Sequence, residues 1–216
     1  MKQAQQIFPD RLFITGTDTG VGKTLVSAIL MVGLNGTYWK PVQSGLEDIT
    51  DTEWIRQKTG LPEKHFRTET YRLTRALSPH LSAMYDRKRI DLEKFRVPEA
   101  GKSGCLIIEG AGGVMVPLNE ECFMLDLIKK ISIPVLLVAA STLGTINHTL
   151  LSLEQLYRHG VDVFGVVMNG PLNPENRRAI EYYGKAKVIA EIEPLVSISQ
   201  ESLKQAFGSF LDSFHK

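Results

Sequence analysis

The chain has 216 residues, 43% of them hydrophobic and 23% charged, and 25 Lys and Arg against 24 Asp and Glu leave a formal net charge of +1. Such a length suits one domain with a full hydrophobic core and excludes a disordered chain, while the near-balanced charge gives no bulk reason to expect a nucleic-acid or acidic-membrane partner. The two cysteines, Cys105 and Cys122, have neither CxxC nor metal spacing and read as reduced thiols of a cytoplasmic protein.

The opening "MKQAQQIFPD" lacks the apolar centre of a signal peptide. A first strand is predicted over "RLFITGT" (11–17). A helix follows from Lys23 to Val32, apolar on most sides and therefore buried. "TYWKPV" (37–42) reads as a second strand. The stretch 48–102 is polar and mostly helical, with no clear strand. "CLIIEG" (105–110) and "PVLLVAAS" (134–141) are further strands. The longest greasy run, "ISIPVLLVAASTLG", is broken by Pro134, Ser141 and Gly144 and is too short to span a bilayer. Ile146, Leu150, Leu153 and Tyr157 recur at helical spacing, and Gly160 supplies a stop. After the strand "DVFGVVMN" (162–169), "NPENRRAIEYYG" offers Asn173 as N-cap, Pro174 at the first turn and Gly184 as exit. "KVIAEI" (187–192) is the last strand. A final helix puts Leu203, Phe207, Phe210 and Phe214 on one face.

Strands apolar nearly throughout belong to parallel sheets covered on both faces, and their alternation with helices predicts a single α/β domain over 1–216. Such sheets bind ligands at the carboxyl ends of their strands. "FITGTDTGVGKT" has the layout of a phosphate-binding loop, with a strand, glycines, then Lys23 and Thr24 opening a helix. It runs G-x5-G-K-T from Gly16 rather than the usual G-x4-G-K-[ST], because Thr17 stands at the first glycine position. Backbone N–H groups at that helix start favour a polyphosphate, Lys23 can reach its terminal phosphates, and Thr24 can ligate Mg²⁺. Partition and septum-site ATPases carry an extra lysine where this loop has Asp18, which weighs against a nucleotide-switch reading. Lys40, before Pro41, sits at a strand end, either near the phosphates or simply at the surface. Glu109 ends an apolar strand like a Walker B acid, or else caps the loop Gly110-Ala111-Gly112-Gly113. Asp51 reads first as a helix N-cap. His148 and His80 carry no catalytic argument, and Cys105 reads as core.

Taken together, "TGTDTGVGKT", "KPVQSG", "SPH" (78–80), "EGAGG" (109–113), "LGTINH" (143–148) and "VMNG" (167–170) resemble the dethiobiotin synthetases, in the family's order. The resemblance implies a P-loop NTPase-like fold and a homodimer. It also implies that Mg²⁺ and ATP serve a cyclo-ligase that converts 7,8-diaminopelargonate and CO₂ (or bicarbonate) to dethiobiotin, through a carbamate and a carbamic–phosphoric anhydride. On that basis Gly20, Val21, Gly22, Lys23, Thr24 and Leu25 wrap the phosphates, with Gly110, Ala111 and Gly112 beside them. Thr24, Asp51 and Glu109 hold the metal. Asn169 and Gly170 meet the adenine, and Pro194 and Leu195 line it. Lys40 and Lys23 are catalytic. Thr17, Lys40, Ser44 and the turn Leu143, Gly144, Thr145, Ile146, Asn147 contact the substrate, the turn by way of the dimer interface. The cobyrinate amidotransferases are the enzymatic alternative, but they carry a glutaminase domain as well. Lys40→Ala or Lys40→Gln is expected to cut turnover far more than stability.

Overall fold

A computed structural model describes residues 7–99 and 104–214. Seven strands form one sheet in the order β4-β2-β6-β1-β7-β8-β9, and every adjacent pair is parallel. The central strands are β1 (Arg11–Gly16), β6 (Leu106–Gly113) and β7 (Val135–Ala140), with β8 (Val163–Asn169) and β9 (Val188–Ile192) beyond. On the other side lie β2 (Thr37–Trp39) and β4 (Phe66–Arg67).

Alternation along each strand divides the core in two. Phe13, Leu106, Ile108, Leu137 and Met168 face one layer, which holds the helices α4 (Met124–Ile131), α5 (Thr145–Arg158) and α6 (Pro174–Gly184). Leu12, Ile14, Ile107, Val138 and Val167 face the other, packed on α1 (Lys23–Leu34) and the C-terminal helices α7 (Gln200–Ala206) and α8 (Gly208–Phe214). Period-two side chains on a sheet with two covered faces require apolar residues at nearly every position, the pattern the sequence shows.

Several expectations need correction. "TYWKPV" is not one strand. Pro41 has no N–H to donate, and the chain leaves the main sheet at Lys40 to form β3 (Val42–Ser44), paired with β5 (Tyr71–Leu73) in a separate two-stranded sheet. The middle segment therefore does contain strands, β4 and β5, each too short to leave a periodic signal; its residues 100–102 lie outside the described residues. Besides α2 (Asp51–Thr59), the described part of the segment holds the short α3 (Pro79–Tyr85) and two single-turn 3-10 helices, Glu63–His65 and Leu92–Lys94. Gly184 is the last residue of its helix, as expected, though not for a left-handed turn of its own. The left-handed turn falls on Lys185 (φ 51°), and Gly184 is small because a Cβ there would lie 2.7 Å from Leu153 Cδ1. On α5 the buried residues are Thr145, Thr149, Leu153 and Leu156, with Tyr157 39% exposed. The last helix breaks at Phe207; Leu203, Phe207 and Phe210 are buried, and the Phe214 side chain lies outside the described residues. Asn173 and Pro174 start α6 as expected, and Gly160 (φ 69°) follows the end of α5.

Candidate active site

The carboxyl ends of β1, β2 and β6 open on a cleft of about 670 Å³. Its wall includes Gly20, Gly22, Lys23 and Thr24 from the loop after β1, Lys40, Ser44 and Asp51 from the β2–α2 region, and Glu109, Ala111 and Gly112 from β6. Gly20 (φ 78°) and Gly22 (φ 99°) adopt left-handed backbone that other residues resist, which turns the chain from β1 into α1. Lys23 Nζ donates to the Asp18 carbonyl at 2.8 Å, and Asp18 Oδ1 accepts from the Thr19 amide at 2.6 Å, so Asp18 braces the loop from within.

β6 supplies the centre of the site. Glu109 is fully buried, which requires strong compensation for its charge. Its Oε1 accepts from Lys40 Nζ at 2.9 Å and from Thr24 Oγ1 at 3.0 Å, and its Oε2 accepts from Ser27 Oγ at 2.8 Å and Tyr38 Oη at 2.9 Å. Lys40, only 4% exposed, pairs also with Asp51, which removes the surface-lysine alternative. Asp51 is not the N-cap of α2. Thr50 is, in a capping box with Glu53, and this frees the Asp51 carboxylate to turn into the cleft.

These neighbours set the proton equilibria. Burial alone would lower the Lys40 ammonium, but Glu109 and Asp51 outweigh it and hold its pKa above the usual lysine value. Burial would likewise raise Asp51, and Lys40 reverses that, leaving it below the usual carboxylate range. Lys23 comes down to about 8, chiefly through burial; the charge of Lys40 adds to the effect, and Glu109, Asp51 and Asp18 oppose it. Tyr38 is pushed well up by burial and by Glu109, so it stays a donor.

Thr24 Oγ1 lies 2.7 Å from Asp51 Oδ1 and 3.0 Å from Glu109 Oε1. One hydroxyl proton can serve only one of these carboxylates, so three hard oxygens converge with acceptor capacity in excess. Mg²⁺ favours such a set, taking one or two carboxylates and completing its shell with phosphate oxygens and water. The residues fit that ion, and among the described residues no cluster of three or more His, Cys, Asp or Glu offers a metal site.

Not every expected residue reaches the cleft. The Val21 and Leu25 side chains pack into the core, so only their backbone can serve a phosphate. Gly110 faces inward, where a Cβ would lie 3.0 Å from the Phe13 ring. Thr17 lines an adjoining hollow with Gly113, Met115 and Ser152. Asn169 and Gly170 stand at the end of β8, and Asn169 Nδ2 donates to the Val21 carbonyl at 3.0 Å. Pro194 is exposed, and Leu195 packs against the α1-side core. Leu143, Gly144, Thr145, Ile146 and Asn147 lie at the start of α5, outside the cleft wall, with Leu143 fully exposed. Ser44 is in the wall, and its Oγ is buried without a hydrogen-bond partner. The exposed His148 and the half-buried His80 do not line the cleft, and Cys105 is core.

Sequence reasoning missed Ser27 and Tyr38, which hold Glu109, and the wall residues Ala76 and Leu77, whereas Ser78 and Pro79 of "SPH" do line the cleft. Two of these had a signal. Ser27 is three residues beyond Thr24 on one helix face, and Tyr38 is two residues before Lys40 along a strand.

A family model described as an AAA domain (AAA_26) matches residues 10–202. The ATP-dependent dethiobiotin synthetase BioD of Paramagnetospirillum magneticum is 45% identical over 192 residues, 89% of this chain and 92% of its own. That of Nitrobacter hamburgensis is 42% identical over 208 residues, 95% and 97%. Among solved structures, the MinC:MinD cell division complex of Aquifex aeolicus superposes with a TM-score of 0.56 at 14% identity, covering 96% of this chain and 95% of that one. A ParA family ATPase from Chlorobium tepidum gives 0.53 at 11%, covering 96% and 100%. At such low identity these two establish the P-loop NTPase-like fold alone. The sequence relatives, with the phosphate loop and the buried carboxylate that faces it, place the chain in the ATP-dependent dethiobiotin synthetase family.

Proposed function

We propose that this single domain, residues 1–216, closes the ureido ring of dethiobiotin from 7,8-diaminopelargonate, CO₂ and ATP, as a cytoplasmic homodimer. The observation that carries the reading is the convergence of Lys23, Lys40, Thr24, Asp51 and Glu109 on one cleft at the strand ends. One substrate amine takes up CO₂ as a carbamate. The carbamate oxygen attacks the γ-phosphorus and ADP leaves. The second amine then attacks the carbamoyl carbon, closing the ring and expelling phosphate.

The obstacle is the meeting of two anions. Lys23, at the head of α1, sits where a polyphosphate would lie across the loop amides. Lys40, fixed as a cation by its two carboxylates, adds positive charge that needs no reorganisation when the phosphoryl group moves. Each such contact is worth about 3–4 kcal/mol of barrier. Thr24, Asp51 and Glu109 would hold Mg²⁺, which supplies charge neutralisation at the phosphates. The unpartnered Ser44 hydroxyl is a ready contact for a substrate amine. The exposed start of α5 suits the substrate carboxylate of the partner protomer, through its free N–H groups and positive dipole end.

The test is phosphate release from Mg-ATP and bicarbonate with and without the diamine, together with detection of the ureido product. Diamine-dependent release accompanied by product supports the assignment. Release that responds only to DNA or lipid would instead favour a nucleotide switch.

A further inference from the structure

β8 lies two strands from β1, with β7 between them, and Asn169 is paired with Ala140 at its end. The Asn169 side chain nevertheless crosses the end of β7. Its Nδ2 donates to the Val21 carbonyl at 3.0 Å, a bond spanning 148 positions of sequence. A carbonyl can only accept, so the amide NH₂ must be the group that faces it. The nitrogen end of the same amide is packed against the loop, since a Cβ on Gly22 would come within 2.3 Å of Nδ2 and 2.9 Å of Cγ. The end of β8 is itself anchored on both sides. Asn169 O accepts from Ser141 N at 3.1 Å, and Gly170 N donates to Ile192 O at 2.9 Å.

The segment Gly20-Val21-Gly22 has two glycines and no side-chain cap at the start of α1. Its backbone is intrinsically permissive, so something outside it must hold its amides in one arrangement. Asn169 is the side chain placed to do so. We propose that Asn169 is a positioning residue for the phosphate loop, which locks Val21-Gly22 into its polyphosphate-binding shape from the far side of β7. This rests on reading the cleft as a nucleotide site. The clamp uses one N–H of the amide. The second N–H and Oδ1 remain as a donor–acceptor pair able to meet the N7 and N6 edge of an adenine. One side chain thereby joins the base end of the site to its phosphate end.

A ligand without a base separates clamping from base reading. Calorimetry with Mg-tripolyphosphate on the unmodified protein, Asn169→Ala and Asn169→Asp should show Asn169→Ala weakened about 2- to 12-fold, the loss of one ordinary hydrogen bond. Asn169→Asp, which sets a carboxylate against the Val21 carbonyl, should be weakened further. Hydrogen exchange at the amides of residues 20–24 should quicken in both, while thermal midpoints stay near the parent's. If Asn169→Ala does not fold, Asn169→Ser, too short to reach Val21, serves the same comparison. Unchanged tripolyphosphate affinity with weakened ATP binding would overturn the clamp and leave a base reader alone. A parent that bound neither tripolyphosphate nor ATP would overturn the nucleotide reading and the clamp with it.

Discussion

Replacing Lys40 by Met keeps the volume and removes the charge. Glu109 is fully buried, and Lys40 is the only cation within ion-pair distance of it among the described residues. The variant leaves that carboxylate with the neutral hydroxyl donors of Ser27 and Tyr38, and with Thr24, whose one proton is shared with Asp51. Breaking a buried pair from one side typically costs about 3–5 kcal/mol, because the remaining charge stays desolvated. For a chain of this length each kcal/mol corresponds to about 2–4 °C, so the thermal midpoint should fall by about 6–20 °C in metal-free buffer. This revises the expectation drawn from the sequence that Lys40 variants would cut turnover far more than stability. The decisive comparison is a cycle with Glu109→Gln, measured by urea unfolding in chelator. The double variant should lose less than the two singles summed, since the orphaned charge is gone. A Lys40→Met protein within about 1 kcal/mol of its parent, or strictly additive losses, would refute the claim that this pair carries the buried carboxylate.

Tyr38→Phe deletes one donor to the same carboxylate and should cost about 1.5–3 kcal/mol in urea unfolding, the range for a hydrogen bond to a charged group. Ser44→Ala should behave in the opposite sense. Its hydroxyl is buried without a partner, so stability should hold or rise slightly, while KM for the diamine increases in steady-state assays. Burial, with a smaller effect of Asp10, raises the Cys105 thiol to about 12, whereas Cys122 is only half-buried. A thiol-disulfide reagent at pH 8 should therefore modify Cys122 and leave Cys105 until the protein is denatured. Because the unfolded chain releases the Cys105 proton near the ordinary thiol value of 9.0 and the folded chain holds it, this residue's contribution to stability should decline as pH climbs from about 9 towards 12.

What was legible in the sequence depended on how local its physical cause was. The strands of the main sheet follow from apolar runs, and the phosphate loop from glycines and a lysine that act within ten residues of one another. Asp51 was misread because a carboxylate one residue from a helix start has two possible jobs. Only Thr50 and Glu53, acting together, show that capping is already done. Lys40 was visible as a charge at a strand end, but its burial was not, because burial depends on β6 and α2 closing over it. The strands β4 and β5 are two and three residues long, below any periodicity, and exist through pairing with β2 and β3.

The parts that escaped share one cause, which bears on how the site works. Glu109 draws its partners from α1, β2 and the turn after β2, up to 85 positions away, and Asn169 reaches Val21 across 148. Neither contact can form until the parallel sheet is assembled, because parallel neighbours require crossovers and the strand ends meet only in the finished fold. A charge such as Glu109 would be expensive in a half-built core, so assembly of the sheet and compensation of the carboxylate are one event. The cleft then inherits rigidity from the most buried part of the molecule. Its cations are held before any anion arrives, which is the condition under which electrostatic preorganisation lowers a barrier.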